Sequence, residues 1–167
     1  DAEMLQGMKK GWNKSSRYGE MFENLRRRDI SYSLNFIFGY DDEHPDVYAA
    51  TLSFLEAHKV PAAYFNILTP TKGTALFERM KKAGRIIDPD DIDRWPGQVC
   101  HIWPKNCTPG QMEQRIQNMY RKFYSMRSIF HRLPFPRTRS DMSSWILNMT
   151  ERRMAFSSTG NNDFDIY

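Results

Sequence analysis

Two stretches of this sequence decide its fold: ISYSLNFIFG, residues 30–39, and PAAYFNILTP, residues 61–70. Both are rich in β-branched and aromatic residues and end in chain breakers, so they predict strands at 30–38 and 62–68. Positions 36–38, Phe-Ile-Phe, are apolar without alternation, which is typical of a parallel strand that helices cover on both faces. We therefore expect two buried parallel strands.

Helical patterns precede, separate and follow these strands. Their apolar residues recur at three- and four-residue spacing: Tyr18, Met21, Phe22 and Leu25; then Val47, Ala50, Phe54 and Leu55; then Leu76, Phe77 and Met80, before Gly84 as a C-terminal cap. The alternation of helices and strands favours an α/β fold whose parallel strands are joined by right-handed crossovers.

Beyond residue 87 the pattern becomes mainly helical. Residues 98–103 are compatible with a short third strand, and Thr108-Pro109-Gly110-Gln111 predicts a helix start. Apolar residues extend this helix as one face to Phe130: Met112, Ile116, Met119, Tyr120 and Phe123. A last helix is predicted from Ser140, with an apolar face of Met142, Trp145, Ile146 and Met149. We divide the chain into strand–helix units at 1–87, a helical extension at 88–157 and a frayed tail at 158–167.

Composition narrows the class of protein. The chain has 167 residues, 40% of them hydrophobic, and a formal charge of +4. Two cysteines make neither a disulfide framework nor a zinc pattern, so we expect a reducing, cytoplasmic location. No apolar run approaches the roughly 18 residues of a membrane span, and the first ten residues lack a signal peptide, so we expect no membrane partner. The arginine runs have acidic neighbours, which argues against nucleic-acid binding.

Four stretches carry a family resemblance when they are taken in order: NFIFGYDDEHPDVY (35–48), FNILTPTKGTALFERMKKAGRI (65–86), WPKNCTPGQM (103–112) and MYRKFYS (119–125). Together they resemble radical S-adenosylmethionine enzymes of the cobalamin-binding type, a group with tetrapyrrole ring cyclases and hopanoid methylases. The resemblance implies a partial (β/α)6 barrel. We expect the chain to be its C-terminal fragment, holding the last two strand–helix units and the helical extension.

The resemblance also implies cofactors for the whole protein: S-adenosylmethionine, a four-iron four-sulfur cluster on a CxxxCxxC loop, and cobalamin. This sequence has only Cys100 and Cys107, seven positions apart. We therefore expect the chain alone to bind no cofactor or metal and to be inactive. Its expected partners are the N-terminal part of its own protein and a second copy, paired through the strand edge at 30–38.

The same resemblance places candidate ligand contacts at the strand ends. Phe36, Phe38, Gly39 and Tyr40 would border the adenosine of S-adenosylmethionine, and Asn66, Leu68, Thr69 and Pro70 would flank its adenine. Asn35 and Lys72 depart from the usual glycine and proline of the group. No catalytic residue is expected here.

Other interpretations of these residues remain open. Phe36 and Phe38 are more typical of core residues than of a cofactor wall, and Asn66 is more typical of a strand residue with a structural hydrogen-bond partner. The alternative function is a non-catalytic α/β module that binds a protein or nucleic acid.

Overall fold

A computed structural model describes residues 17–88 and 97–157. Within these ranges the elements are α1 (Tyr18–Arg27), β1 (Ser33–Phe38), α2 (Val47–Ala57), β2 (Ala62–Ile67), α3 (Ala75–Lys82), α4 (Pro109–Phe123), α5 (Met126–Arg132) and α6 (Arg139–Ser157). The expected frayed tail at 158–167 lies outside the described residues. So do residues 1–16 and 89–96.

β1 and β2 form a parallel sheet, as the sequence predicts. The register runs from Ser33 opposite Ala62 to Phe38 opposite Ile67. The backbone N–H of Leu68 donates to Phe38 O at 2.7 Å, so both strands end at the same edge. The described residues thus have an α/β arrangement with two strands, and the larger barrel stays a prediction.

Among residues 17–88 and 97–157, helices cover one face of this sheet and leave the other uncovered, which differs from the expectation of two covered faces. Phe38 and Phe65 point toward the helices and are buried, whereas Ile37 is 49% exposed. Phe65 contacts the rings of Tyr120 and Phe123, which places α4 against β2. α4, and α6 through Ala155, therefore share one hydrophobic core with the strands. The division at 87/88 stays a prediction.

The long helix predicted from Thr108 is two helices. Its start is confirmed: the Thr108 side chain accepts from Gln111 N at 3.2 Å, and Gln111 Oε1 accepts from Thr108 N at 3.0 Å. It ends at Phe123, because Ser125 adopts extended backbone and its hydroxyl caps α5 by accepting from Ser128 N. Phe130 is therefore 61% exposed and does not share the buried face of α4.

The predicted apolar face of α6 does not face the core either. Ser144, Asn148, Glu151 and Ala155 are buried, while Ile146 is 61% exposed. The third strand near residues 98–103 is also absent from the described residues, where Ile86 and Ile102 form an isolated antiparallel bridge. Both errors arise because local pattern does not show which surface a tertiary contact covers.

A buried guanidinium explains why α6 turns a polar face inward. Arg132 is 1% exposed and lies 3.5 Å from the centre of the Phe123 ring. It donates to Val60 O (2.6 Å), Pro61 O (2.9 Å), Phe123 O (2.9 Å), Asn148 Oδ1 (3.0 Å) and Ser128 Oγ (3.2 Å). Burial lowers the pKa of Arg132 to about 10, which leaves it charged at neutral pH. Because buried donors need acceptors, α6 must present Asn148 to the core.

Candidate functional site

The uncovered face of the sheet carries three polar side chains and one isoleucine at neighbouring outward positions. Asn35 and Ile37 of β1 lie beside Tyr64 and Asn66 of β2, since the register sets Asn35 opposite Tyr64 and Ile37 opposite Asn66. Asn35 and Ile37 are exposed, and Tyr64 and Asn66 are half-buried. A strand pair with one apolar face and one polar face suits a sheet whose second face meets a ligand or solvent.

Two amides on this face bond to each other across the strands. Asn66 Nδ2 donates to Asn35 Oδ1, which gives Asn66 the structural partner that its sequence context requires. An amide nitrogen has two hydrogens, so Asn35 Nδ2 keeps donor capacity toward the open side. Gly97 lies against the pair, because a Cβ there would stand 2.6 Å from Asn66 Oδ1. Only glycine fits this approach without a shift of the amide.

The C-terminal edge of the sheet is bordered by a turn of defined geometry. Gly39 has φ of +104°, a left-handed value that favours glycine, and its N–H donates to Glu43 Oε1 at 2.8 Å. Burial raises the pKa of the Glu43 carboxyl, and burial also raises the pKa of Tyr40. Thr69 Oγ1 donates back to Ile67 O at 3.1 Å. The backbone at both strand ends is therefore held in place.

An ion-pair cluster fixes the loop after β1. Arg85 donates to both carboxylate oxygens of Asp41, at 2.8 and 2.7 Å, and Lys105 Nζ lies 3.0 Å from Asp41 Oδ2. The hydrogen bonds from Arg85 come first among the causes that lower the pKa of Asp41 to about 2. Arg85 Nε also donates to Trp103 O at 3.0 Å, which ties this loop to the Ile86–Ile102 bridge. Asp41 is therefore a structural anchor.

The outer edge of β2 is closed by side chains instead of a strand. Tyr124 Oη accepts from Ala63 N at 3.3 Å and donates to Ala63 O at 2.9 Å, and Tyr120 Oη accepts from Phe65 N at 3.0 Å. Four helical residues rise about 6 Å, close to the about 6.6 Å of two strand residues, so the spacings match. Ile67 N donates to Gly97 O at 2.6 Å. The N–H groups of Ala63, Phe65 and Ile67, every second one along β2, are thus satisfied on this edge, so a further strand would add beside β1.

Two curated proteins resemble this chain. Bacteriochlorophyllide d C-12(1)-methyltransferase of Chlorobaculum tepidum is 29% identical over 131 residues, which cover 78% of this chain and 28% of that protein. Anaerobic magnesium-protoporphyrin IX monomethyl ester cyclase of Cereibacter sphaeroides is 26% identical over 112 residues, or 67% of this chain and 18% of that protein. The chain spans less than a third of either relative. No protein-family model matches it.

These names agree with the tetrapyrrole-enzyme group that the sequence resembles. They support a relationship to radical S-adenosylmethionine enzymes at low sequence identity. Cobalamin use is untested. No helix among residues 17–88 and 97–157 is long and apolar enough to span a membrane.

The structure separates the eight predicted ligand contacts. Phe38, Leu68 and Pro70 are buried, and Phe36 packs with Phe65 on the helix-covered face. Gly39, Tyr40 and Thr69 lie in the turns at the C-terminal edge, and Asn66 is the member on the open face. Whether any of them contacts a cofactor stays a prediction.

The sequence places Tyr120 on an apolar helix face, but it assigns no role to Tyr64 or Tyr124 and no hydrogen bond to any of the three. The two-residue period that puts Asn66 on the open face also places Tyr64 there. The four-residue spacing of Tyr120 and Tyr124 indicates a shared helix face, but no sequence signal pairs their hydroxyls with a strand edge.

The residues of this chain do not fit an iron–sulfur cluster. Cys100 is 4% exposed, and its thiol donates to Ile102 O at 3.3 Å. Burial raises the pKa of the Cys100 thiol to about 11, so the thiolate that a cluster needs is disfavoured. Within the described residues no group of three or more His, Cys, Asp and Glu side chains can hold a metal ion.

Proposed function

We propose that this chain is the C-terminal wall of a partial barrel in a cobalamin-dependent radical S-adenosylmethionine enzyme that acts on a tetrapyrrole. One observation carries the proposal: among the described residues, tyrosines close the parallel pair along β2, and no second strand pairs with β1. Such a pair is suited to be the final one of an open barrel, because further strands add only beside β1. The relatives, of which the chain spans 28% and 18%, leave room for those strands.

The open face would then line the barrel interior. Enzymes of barrel architecture carry their sites at the C-terminal ends of the strands, where Asn66 and the Gly39 turn lie. Asn35 is exposed, and its Nδ2 would donate to a nucleoside or a substrate carbonyl, while Asn66 would orient that amide. The iron–sulfur cluster and S-adenosylmethionine would supply radical chemistry when bound, with cluster cysteines outside this chain.

The experiment uses the full-length protein, purified and reconstituted without oxygen. We expect reductive cleavage of S-adenosylmethionine by the native protein. In Asn66→Ala the amide pair is lost, and we expect the Kd for S-adenosylmethionine to rise about tenfold, the worth of one hydrogen bond at the upper end of the usual range. Ser33→Ala is the control, since Ser33 lies exposed on the same face at the other end of β1.

Each outcome is decisive for a different part of the proposal. Equal Kd values in Asn66→Ala and Ser33→Ala, with both variants folded by circular dichroism, would remove the open face from the site. A full-length protein that holds no iron and leaves S-adenosylmethionine intact would contradict the enzyme itself and favour the non-catalytic binding module.

A further inference from the structure

The last helix, α6, has its apolar stripe on the side away from the core. Met142, Trp145, Ile146 and Met149 recur at three- and four-residue spacing and so share one side of the helix. The buried residues, Ser144, Asn148, Glu151 and Ala155, share another side. Met142 is 50% and Ile146 is 61% exposed. A helix that buries a polar face and exposes an apolar one calls for a second contact surface.

Two aromatic rings extend this stripe. The Phe130 ring, 61% exposed, packs edge-on against Trp145 with 5.2 Å between ring centres. Trp145 Nε1 donates to Pro134 O at 2.8 Å, which holds the segment Pro134-Phe135-Pro136, between α5 and α6, beside the helix. Phe135 is 78% exposed in that segment. We call this surface the α6 patch: Phe130, Phe135, Met142, Trp145, Ile146 and Met149.

Arginines border the α6 patch at both ends. Arg139 precedes Met142 by three residues and Arg153 follows Met149 by four, so both lie on the same side of α6 as the stripe. Arg127 and Arg137 flank the two aromatic residues and are exposed as well. From 127 to 153 the sequence has six arginines and two acidic residues. All of these arginines except Arg132 remain outside the core.

Neither acidic residue of this segment is a free charge within the stripe. Glu151 lies on the buried side of α6. Asp141 Oδ2 accepts from Arg137 N at 3.1 Å and Thr138 N at 3.2 Å, as a cap of the helix start. The α6 patch is therefore apolar at its centre, and four exposed arginines at its borders outnumber the one carboxylate there, that of Asp141 in the helix cap.

The apolar centre and the bordering arginines favour a lipid surface over a second copy of the chain as the partner of the α6 patch. A second copy packed through the same stripe would bring the arginines at its ends against arginines, at a cost from like-charge repulsion. Phe135, 78% exposed in the segment between α5 and α6, is an aromatic side chain available for insertion between lipid headgroups. We propose that the α6 patch binds the surface of a membrane that contains anionic phospholipid. The expectation of no membrane partner rested on the missing span, and peripheral attachment needs none.

The test is co-sedimentation of the full chain with vesicles of phosphatidylcholine, either pure or doped with phosphatidylglycerol. We expect binding to the doped vesicles only, weakened between about 0.1 M and about 1 M salt because the Debye length shortens. Phe135→Ser and Ile146→Ser should each lower partitioning about tenfold, from lost apolar insertion. Arg139→Gln with Arg153→Gln should lower it about 30-fold, about fivefold for each arginine.

The control is Met21→Ser, which removes a 43% exposed apolar side chain on α1, outside the α6 patch. All substituted positions are exposed, so every variant should melt within a few degrees of the native chain. Three results would overturn the proposal: no binding by the native chain, equal binding to both vesicle types, or an equal loss in Met21→Ser. Sedimentation of a dimer that Ile146→Ser dissociates would assign the surface to a second copy instead.

Discussion

Arg132→Ala should destabilise the chain by about 4 kcal/mol. The substitution removes every donor from Val60 O, Phe123 O and Asn148 Oδ1, while Pro61 O keeps the Asn148 Nδ2 bond at 2.9 Å. Each buried acceptor left without a donor costs about 1 to 3 kcal/mol, and the empty volume over the Phe123 ring adds to the loss. Three such acceptors at the lower half of that range give the expected magnitude.

Urea unfolding followed by far-ultraviolet circular dichroism measures the free energy of unfolding. Arg132→Lys should lose about half as much as Arg132→Ala, because an ammonium keeps the charge but has three donors and no planar fork. Arg127→Ala is the matched control on the exposed side of α5 and should stay within about 0.5 kcal/mol of the native chain. A loss below about 1 kcal/mol in Arg132→Ala would refute the network as a stabilising element.

Three further predictions concern the loop after β1, the β2 edge and the glycine beside the amide pair. Arg85 holds the pKa of Asp41 down from 3.8 to about 2, so the native chain should lose about 1–2 kcal/mol of stability as the pH falls through that window, and Asp41→Asn should not. Tyr124→Phe keeps the ring but removes the partner of a buried backbone N–H and C=O, and should cost about 2 kcal/mol in urea unfolding. Gly97→Ala sets a Cβ 2.6 Å from Asn66 Oδ1 and should cost about 1 kcal/mol or more, whereas Gly110→Ala, with open space around its Cβ, should stabilise by up to about 1 kcal/mol.

Opposite results would count against each of these three. Parallel acid-unfolding curves for Asp41→Asn and the native chain would show that another carboxylate governs that window. A Tyr124→Phe variant as stable as the native chain would mean that the edge of β2 gains nothing from the hydroxyl. Equal effects of alanine at both glycines would show that the close approach at Gly97 relaxes without cost.

The parallel strand pair and the start of α4 could be predicted because their signals are local. The apolar strands between helices and the Thr108–Gln111 capping box depend on residues adjacent in sequence. The end of α4 depends on Ser125, which caps α5 and so interrupts a helical pattern that the apolar spacing continues. The orientation of α6 depends on Arg132, whose partner Asn148 lies 16 residues away in sequence. Amphipathic spacing identifies the stripe of α6 correctly, but it does not show which side the core accepts.

The candidate site likewise contains one residue that local sequence predicts and others that depend on tertiary contacts. Asn66 was identified because a polar residue inside an apolar strand needs a partner. Its partner, Asn35, depends on the strand register, and the contact with Gly97 depends on a loop some 30 residues away in sequence. The eight contacts predicted by resemblance rest on strand ends alone, so they mix residues of the covered face with residues of the open one.

The hydrogen bonds between the edge of β2 and the hydroxyls of Tyr120 and Tyr124 stabilise one register of this strand. Tyr120 and Tyr124 contact backbone groups at positions 65 and 63, which are the positions that point their own side chains into the core. A slip of β2 by one residue would turn Phe65 toward the open face and would also withdraw the N–H groups from both hydroxyls. Loss of apolar burial and loss of hydrogen bonds therefore both destabilise the state in which β2 is shifted by one residue. Refolding should consequently give a single alignment of β2 against α4.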